Sequence, residues 1–356
     1  MKGFLKALSY RPITLLSLII LILLYLMMIF AEFISPYTPV TSFSEKSFYP
    51  PAVSWYSPEL GFGPQVQARA VINEINWNYA RIKGTNKRIH FFVKGKPYKL
   101  WGLIPGDRHL YGLAPGEEEP VFLMGSDNLG RDLFTRILYG SRISLTIGFI
   151  GITISMTLAI TFGGLAGFFG GKIDWFIMRF SEFFILIPGL YLILFLRSIL
   201  SRSMTSGQSF MVITVILSFV GWPGSARLIR GMVHSIKRED YIANAVLEGI
   251  PTLNIIFRQI IPQMSSIIIV SIALGIPGFI LGETVLSYLG LGIVDPAVSW
   301  GSLINREIST LSNLRNFPWF LIPGLFLLVT TLAFNFLGDL LRDYLDPYYQ
   351  EKGGLR

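Results

Sequence analysis

Apolar residues along the chain gather into long runs, and charged, turn-rich segments separate them. The first run, ITLLSLIILILLYLMMIFAEFI, occupies residues 13–34. It exceeds the roughly 20 residues that carry a helix across about 30 Å of hydrocarbon. Similar runs fall at residues 143–169, 175–200, 210–226, 267–291 and 319–337. The pattern predicts an all-α polytopic membrane protein with six spans. A cleaved signal peptide is the rival reading of the first run. The run is long for an h-region and no small-x-small site follows it, so a retained helix is expected.

Six spans put both termini on one side. With the N-terminus inside, the inner segments hold Lys2, Lys6, Arg11, Lys172, Arg227, Arg230, Lys237, Arg238, Arg258 and Arg342. The short outer loops hold Arg197, Arg202, Arg306 and Arg315. That bias favours cytoplasmic termini. The long segment between spans one and two has no vote on topology. Its stretch NYARIKGTNKRIHFFVKGKPYKLWGLI reads as strands broken at residues 84–86 and 94–97, which predicts a β-rich extracytoplasmic insert. An irregular loop packed on the membrane face is the alternative. The expected division is a first arm and span at 1–35, an insert at 36–125, a transmembrane domain at 126–342 and a cytoplasmic tail at 343–356.

Composition agrees with a bilayer as solvent: 52% of the 356 residues are hydrophobic, and the mean hydropathy is +0.55. The net charge of +8 raises nucleic acid as a partner. Lys and Arg are spread over many loops and form no single patch, so nucleic acid is not expected. The chain has no cysteine, which excludes disulfides, thiolate catalysis and Cys-ligated zinc. The nearest thing to a phosphate loop, AGFFGGKI at residues 166–173, lacks the first glycine and has Ile173 where Ser or Thr would hold magnesium. No H-E-x-x-H or G-x-S-x-G occurs. His90, His109 and His234 are far apart in sequence, and a metal site between the first two is not favoured. The chain reads as a non-enzyme with no bound cofactor or metal.

Charges within spans are costly and so informative. Glu182 lies in the third span and Glu283 in the outer part of the fifth; neither is expected to face lipid. Arg179 lies near a helix end and can snorkel. The pairs at Pro188, Pro223 and Pro277 each precede a glycine and are expected to interrupt three spans. Broken helices with intramembrane carboxylates fit a transport pathway, and equally a bundle with ordinary kinks. Gly163, Gly167 and Gly171 fall four apart, which favours close helix–helix approach.

Between two spans lies KREDYIANAVLEGIPTLNIIFRQIIPQ, residues 237–263, far longer than a connection needs. Glu239 and Asp240 suit a helix start, and Tyr241, Ala245 and Glu248 follow at helical spacing. Gly249 ends this helix, Pro251 suits the first turn of the next, and Pro262 is expected to end that one. The second helix carries Ile255, Ile256, Ile260 and Arg258. Such a pair of short helices has the shape of a docking element; an amphipathic hairpin on headgroups is the other reading.

At these residues the sequence resembles the permease subunits of dipeptide/oligopeptide ABC importers. The resemblance runs from about residue 124 to 347. GSDNLGRDLFTRILYGSRISL is similar to the family segment that leads into the second span. ARLIRGMVHSIKREDYIANAVLEGIPTLNIIFRQIIPQ resembles the ATPase-coupling loop. ETVLSYLGLGIVDPAVSWGSLIN and PGLFLLVTTLAFNFLGDLLRDYLDP resemble the stretch after the fifth span and the C-terminal end.

The resemblance implies a type I ABC importer fold in the cytoplasmic (inner) membrane. It implies a second homologous permease, two cytosolic ATPase subunits that hold ATP and magnesium, an extracytoplasmic solute-binding protein, and lipid around the spans. It implies that loop 235–263 docks on an ATPase, with Asp240, Tyr241, Ala243, Asn244, Ala245, Gly249, Arg258 and Pro262 shaping the contact. Where many members read Glu-Ala-Ala, this chain reads Ala243-Asn244-Ala245, so Asp240 or Glu248 is the candidate acidic anchor. Glu182, Pro188, Glu283, Leu289, Gly290 and Gly292 are expected along the translocation path or at its gate. Peptide is the expected solute; oligosaccharides, nickel and opines are alternatives. A channel or secondary carrier without ATPases, or a membrane enzyme, would be a protein of a different class.

Overall fold

A computed structural model describes residues 8, 10–73, 77–117, 119–199, 205–308 and 311–345. Lys2, Lys6, Arg202 and most of the tail 343–356 lie outside the described residues. Among the described residues, five helices are long and apolar enough to cross a membrane: Pro12–Ile29, Leu133–Phe169, Ser206–Ile236, Ser265–Tyr288 and Pro318–Leu345.

In chain order, α1 is Pro12–Ile29 and a short α2 is Ala31–Ile34. The strands follow: β1 Val53–Ser57, β2 Gly61–Asn73, β3 Asn78–Arg88, β4 His90–Leu100 and β5 Ile104–Gly112. Next come α3 Leu133–Phe169, α4 Gly171–Leu186, α5 Gly189–Ile199, α6 Ser206–Ile236 and α7 Asp240–Leu247. A short α8, Thr252–Asn254, runs through a wide π turn, Ile255–Ile260, into α9 Ile261–Gln263. The chain continues with α10 Ser265–Tyr288, α11 Trp300–Glu307, α12 Leu311–Asn316 and α13 Ile322–Leu345.

The residues expected to form the third span, 175–200, fall in α4 and α5, which are parted at Ile187. Pro188 has no N–H and biases the residue before it away from helix, and Ile187 accordingly lies in the extended region (φ −84°, ψ 124°). Pro223 and Pro277 do not interrupt their helices, contrary to the sequence expectation. Both sit inside continuous helices, α6 and α10. A proline costs a helix one hydrogen bond, and tight neighbours can hold the helix through it.

The chain forms two compact units: residues 1–21, 146–286 and 329–356 in one, and residues 22–145 and 287–328 in the other. The first is helical. Its α3 and α6 approach backbone to backbone. A Cβ on Gly163 would lie 2.5 Å from the Ala226 carbonyl, and one on Gly167 would lie 2.6 Å from the Arg230 carbonyl. Gly171 was grouped with them on spacing, but it meets nothing within 4 Å. With Gly170 it takes a positive φ, where α3 turns into α4. In the same unit Arg11, at the start of α1, pairs with Asp343, near the end of α13, at 2.7 Å. Leu8 packs with Leu340 beside it.

The second unit carries the strands. β1, β2 and β3 form an antiparallel sheet, and β4 pairs with β5. The turns expected at residues 84–86 and 94–97 are instead bulges within β3 and β4. The register jumps between Gln67↔Asn86 and Arg69↔Arg81, and between Lys94↔Arg108 and Tyr98↔Gly106. Extra residues on one strand bulge out without ending the ladder. Tyr49, Val66, Ile89, Tyr111 and Phe122 form a buried core with Ala31 of α2 and with Phe134 and Leu138 of α3.

Gly167→Leu is expected to destabilise the chain by about 1–3 kcal/mol or more, because nothing in the α3–α6 contact can give way to a side chain. A fall in the melting temperature of the purified protein checks it; an unchanged melting temperature contradicts the close approach.

Candidate functional site

The segment after α6 is built as a small rigid body. Glu239 caps α7 in an extended conformation (φ −70°, ψ 145°), and Asp240 opens the helix. Gly249 has φ +76°. Its N–H donates to the Val246 carbonyl at 3.1 Å, and the N–H of Ile250 reaches back to the Ala245 carbonyl at 3.1 Å. These are the two bonds of a Schellman cap, and the left-handed position needs glycine. Pro251 lies just before α8, in the cap position and not within the first turn.

Pro262 does not end the second helix. Ahead of it the Ile261 N–H bonds to the Ile256 carbonyl, five residues back. This wider turn admits the proline, and the helix runs on through Gln263 to the break at Met264. The Tyr241 hydroxyl accepts a hydrogen bond from the Gln263 amide, which ties the two short helices together.

One face of this body is buried. Ile242, Ala245, Ile255, Ile256, Ile260 and Met264 pack against Phe168 at the end of α3 and against Ile229 and Val233 of α6. Lys237 Nζ donates to the Phe168 carbonyl at 2.5 Å. Asp174 of α4 accepts two bonds from the Arg230 guanidinium, so α4 is tied to α6 here too. The segment therefore moves only if the ends of α3 and α6 move.

The opposite face is exposed. Asp240, Tyr241, Ala243, Asn244, Glu248, Gly249, Arg258 and Pro262 lie open, while Ala245 is buried in the body's own core. Sequence reading missed the apolar members of the exposed face. Leu247 is 84% exposed, Leu253 56% and Val246 53%. Val246 and Leu247 lie on α7 off the Ile242–Ala245 stripe, and Leu253 lies on α8. An apolar patch rimmed by charges on a rigid element marks a protein contact surface.

The residues expected along a path are dispersed. Glu182 is partly exposed, 2.6 Å from Arg179 of its own helix and 3.8 Å from Arg227 of α6. Glu283, in α10, is fully buried. Pro188 marks the break between α4 and α5. In the second unit, Leu289 and Gly290 form the turn that ends α10, Gly290 with φ +75°. A Cβ on Gly292 would lie 1.9 Å from Ser287 Oγ, so this turn closes only on glycine. That hydroxyl accepts from the Ile293 N–H at 3.1 Å.

A charge cluster that sequence reading did not assemble joins two of the quoted stretches within this unit. The Asp127 carboxylate is fully buried. It accepts from the N–H of Leu129 and Arg131 at 2.9 and 2.8 Å and from Arg131 Nε at 2.6 Å, and Arg136 lies 3.2 Å away. Asp295, beyond α10, faces the same two arginines at 3.4 and 3.6 Å and also pairs with Arg306. Burial raises the Asp295 carboxyl, but the Arg306 hydrogen bond and the three guanidinium charges outweigh it and hold the group below its usual range. Trp300, fully buried, adds a bond from its indole to the Ile137 carbonyl at 3.1 Å. The long sequence gap between the stretches hid this cluster.

The inner membrane component of binding-protein-dependent transport systems matches residues 159–350. The chain belongs to this family. The N-terminal transmembrane domain of oligopeptide transport permease C also matches the permease, over residues 1–51. Among curated relatives, the oligopeptide transport system permease protein OppC of Haemophilus influenzae is 37% identical over 242 residues, 68% of this chain and 75% of that protein. The dipeptide transport system permease protein DppC of Bacillus subtilis is 39% identical over 224 residues, 63% of this chain and 68% of that one. OppC of Escherichia coli K12 is 37% identical over 235 residues, 66% and 74%. The permease is thus a multi-pass membrane protein of the dipeptide/oligopeptide importer family.

Two predictions come from the second unit. Asp127→Ala leaves Arg131 and Arg136 buried with half their counter-charge; loss of one partner of such a pair costs about 3–5 kcal/mol. The melting temperature of the purified permease should fall well below that of Asp295→Ala, because the Asp295 side chain is itself 38% exposed and that of Asp127 is fully buried. The second concerns Asp132. Burial pushes its carboxyl up to about 7, against the lowering pull of Thr135, which donates to it through N–H and hydroxyl at 2.8 and 2.5 Å. The unfolded group titrates near 3.9. The folded state thus binds the proton more tightly, and stability falls as pH rises between those values, then levels off above about 7. Asp132→Asn should flatten this dependence in melting curves from pH 5 to 7.

Proposed function

We propose that the chain is a translocation subunit of an ATP-driven, binding-protein-dependent importer of peptides, and that residues 235–263 couple it to a cytosolic ATPase. The observation that carries this is the body formed by α7 to α9. It is locked to the ends of α3 and α6 by its buried isoleucines, and it presents Val246, Leu247 and Leu253 outward with no covering. A connection between spans needs neither feature. A channel or secondary carrier has no use for a rigid apolar docking face.

Parity supports six crossings. The start of α1 and the end of α13 meet through Arg11 and Asp343, so the number of crossings is even. Five helices qualify alone; α4 and α5 together supply the sixth, broken at Pro188. The inner-side excess of Lys and Arg favours cytoplasmic termini, and the strands of residues 53–112 then form an extracytoplasmic insert.

In this mechanism a second, related permease completes the path, and two ATPase subunits hold ATP and magnesium; this chain binds neither. Closure of the ATPases pushes the α7–α9 body, and α3 and α6 carry the displacement to the spans. Switching between strongly inward and strongly outward populations takes on the order of 5 kcal/mol. A binding protein delivers the solute. The names of the relatives support peptide as that solute, ahead of oligosaccharides, nickel or opines.

The test is recovery of the assembly from membranes in mild detergent, with its subunits identified by mass spectrometry. A second permease and P-loop ATPases are expected to accompany the chain. Leu247→Glu should lose the ATPases and keep the melting temperature of the isolated chain, since Leu247 is 84% exposed. Recovery of the chain alone, or of ATPases undiminished by Leu247→Glu, contradicts the reading.

A further inference from the structure

The turn between β4 and β5 carries apolar side chains that no protein covers. Trp101 is 49% exposed, Leu103 81% and Ile104 63%. The turn is nevertheless held at a definite level along α1. The helix breaks at Phe30, which frees the last carbonyls of α1. Trp101 Nε1 donates to the Ile29 carbonyl at 3.0 Å, and Arg142 Nε donates to that of Met28 at 2.9 Å. The Arg142 guanidinium also pairs with both oxygens of Glu32 and stacks 4.2 Å from the Trp101 ring centre. These bonds place the turn beside the apolar end of α1.

Past this anchor runs an apolar groove of about 570 Å³, lined by Leu23 and Leu26 of α1, by Phe30 and Phe33 just beyond it, and by Leu100 and Ile104 of the turn. Leu23 lies six residues before Ile29, about 9 Å further along the helix axis at 1.5 Å per residue. The groove thus extends along a helix whose most apolar window is only 22% buried in protein. Leu23 and Leu26 are themselves 52% and 44% exposed, and Leu16 and Ile19 continue the same helical face at 56% and 45%. Exposed charge is on the strands above the turn instead, at Lys94, Lys96, Lys99 and Arg108, with Asp107 paired to Lys94.

The turn's backbone also tolerates a dry setting. Gly102 N–H bonds to the Lys99 carbonyl and Leu103 N–H to that of Leu100, each at 3.0 Å, and Pro105 has no N–H to satisfy. Unpaired amides are what bars a hairpin from hydrocarbon, and tryptophan with basic side chains above it is the usual order of residues at a membrane boundary.

We propose that the β4–β5 turn, residues 100–105, is seated in the bilayer leaflet at the C-terminal end of α1, and that the groove between them holds a lipid acyl chain. The insert is thereby anchored to the membrane at a second point beyond its chain connections. The proposal rests on α1 as a span and needs no part of the transport mechanism.

The chain has no cysteine, so single-cysteine variants can be spin-labelled in the assembled transporter and reconstituted in phosphatidylethanolamine–phosphatidylglycerol vesicles. Leu103→Cys and Ile104→Cys report the turn, Leu16→Cys the span and Lys83→Cys the aqueous side. Relaxation by oxygen and by a water-soluble nickel chelate is compared. Labels at 103 and 104 are expected to favour oxygen over nickel, as at 16, with the ratio reversed at 83. Labels at 103 and 104 that follow position 83 overturn the proposal while α1 remains a span. Shielding from both reagents overturns it in favour of a protein partner on the turn. Labels at 16 and 103 both open to nickel remove the span itself. If one turn variant fails to assemble, the other carries the test.

Discussion

The approach of α3 to α6 at Gly163 and Gly167 is the constraint on which the helical unit depends. A bilayer gives two helices no hydrophobic reason to associate, so small residues that let backbones touch must supply the contact. Here each glycine faces a carbonyl of α6 at a distance that admits no side chain. The contact runs straight into Phe168, Ile229 and Val233, which receive the isoleucines of the following segment. The helix contact and the α7–α9 body are therefore one continuous packing.

The second unit uses polar groups in place of glycine contacts. Asp127 is surrounded by backbone N–H groups and two guanidinium groups, and Asp295 returns the same arginines to a stretch far along the chain. Such buried pairing adds little net stability compared with apolar packing, but it penalises any arrangement that separates the partners. It defines where the segment before α3 meets the loop after α10.

Much of this was legible in the sequence because single residues there carry a local physical demand. Gly249 stands where a helix ends and the backbone turns left-handed. The isoleucines of the α8–α9 stretch repeat at helical spacing. Gly163 and Gly167 lie one turn apart. The errors came where long-range packing overrides local preference. Pro223 and Pro277 looked like breaks and lie in unbroken helices. Pro262 looked like a terminus and is absorbed by a wide turn. Gly84 and Gly95 looked like hairpin turns and sit in bulges that a partner strand bridges. The Asp127 and Asp295 cluster had no local signal, because its members are remote in sequence. Leu247 and Leu253 were passed over because an exposed apolar residue on a short helix has no periodicity of its own.

The most direct test of coupling is ATP-driven peptide uptake by proteoliposomes that contain the whole transporter, with Gly249→Asp against the native chain. Aspartate at φ +76° strains the cap that joins α7 to α8, although no neighbour blocks its Cβ. The account predicts an assembled transporter that hydrolyses ATP without uptake, or loses its ATPases. Uptake at the native rate would contradict the claim that this segment transmits the work of ATP to the spans.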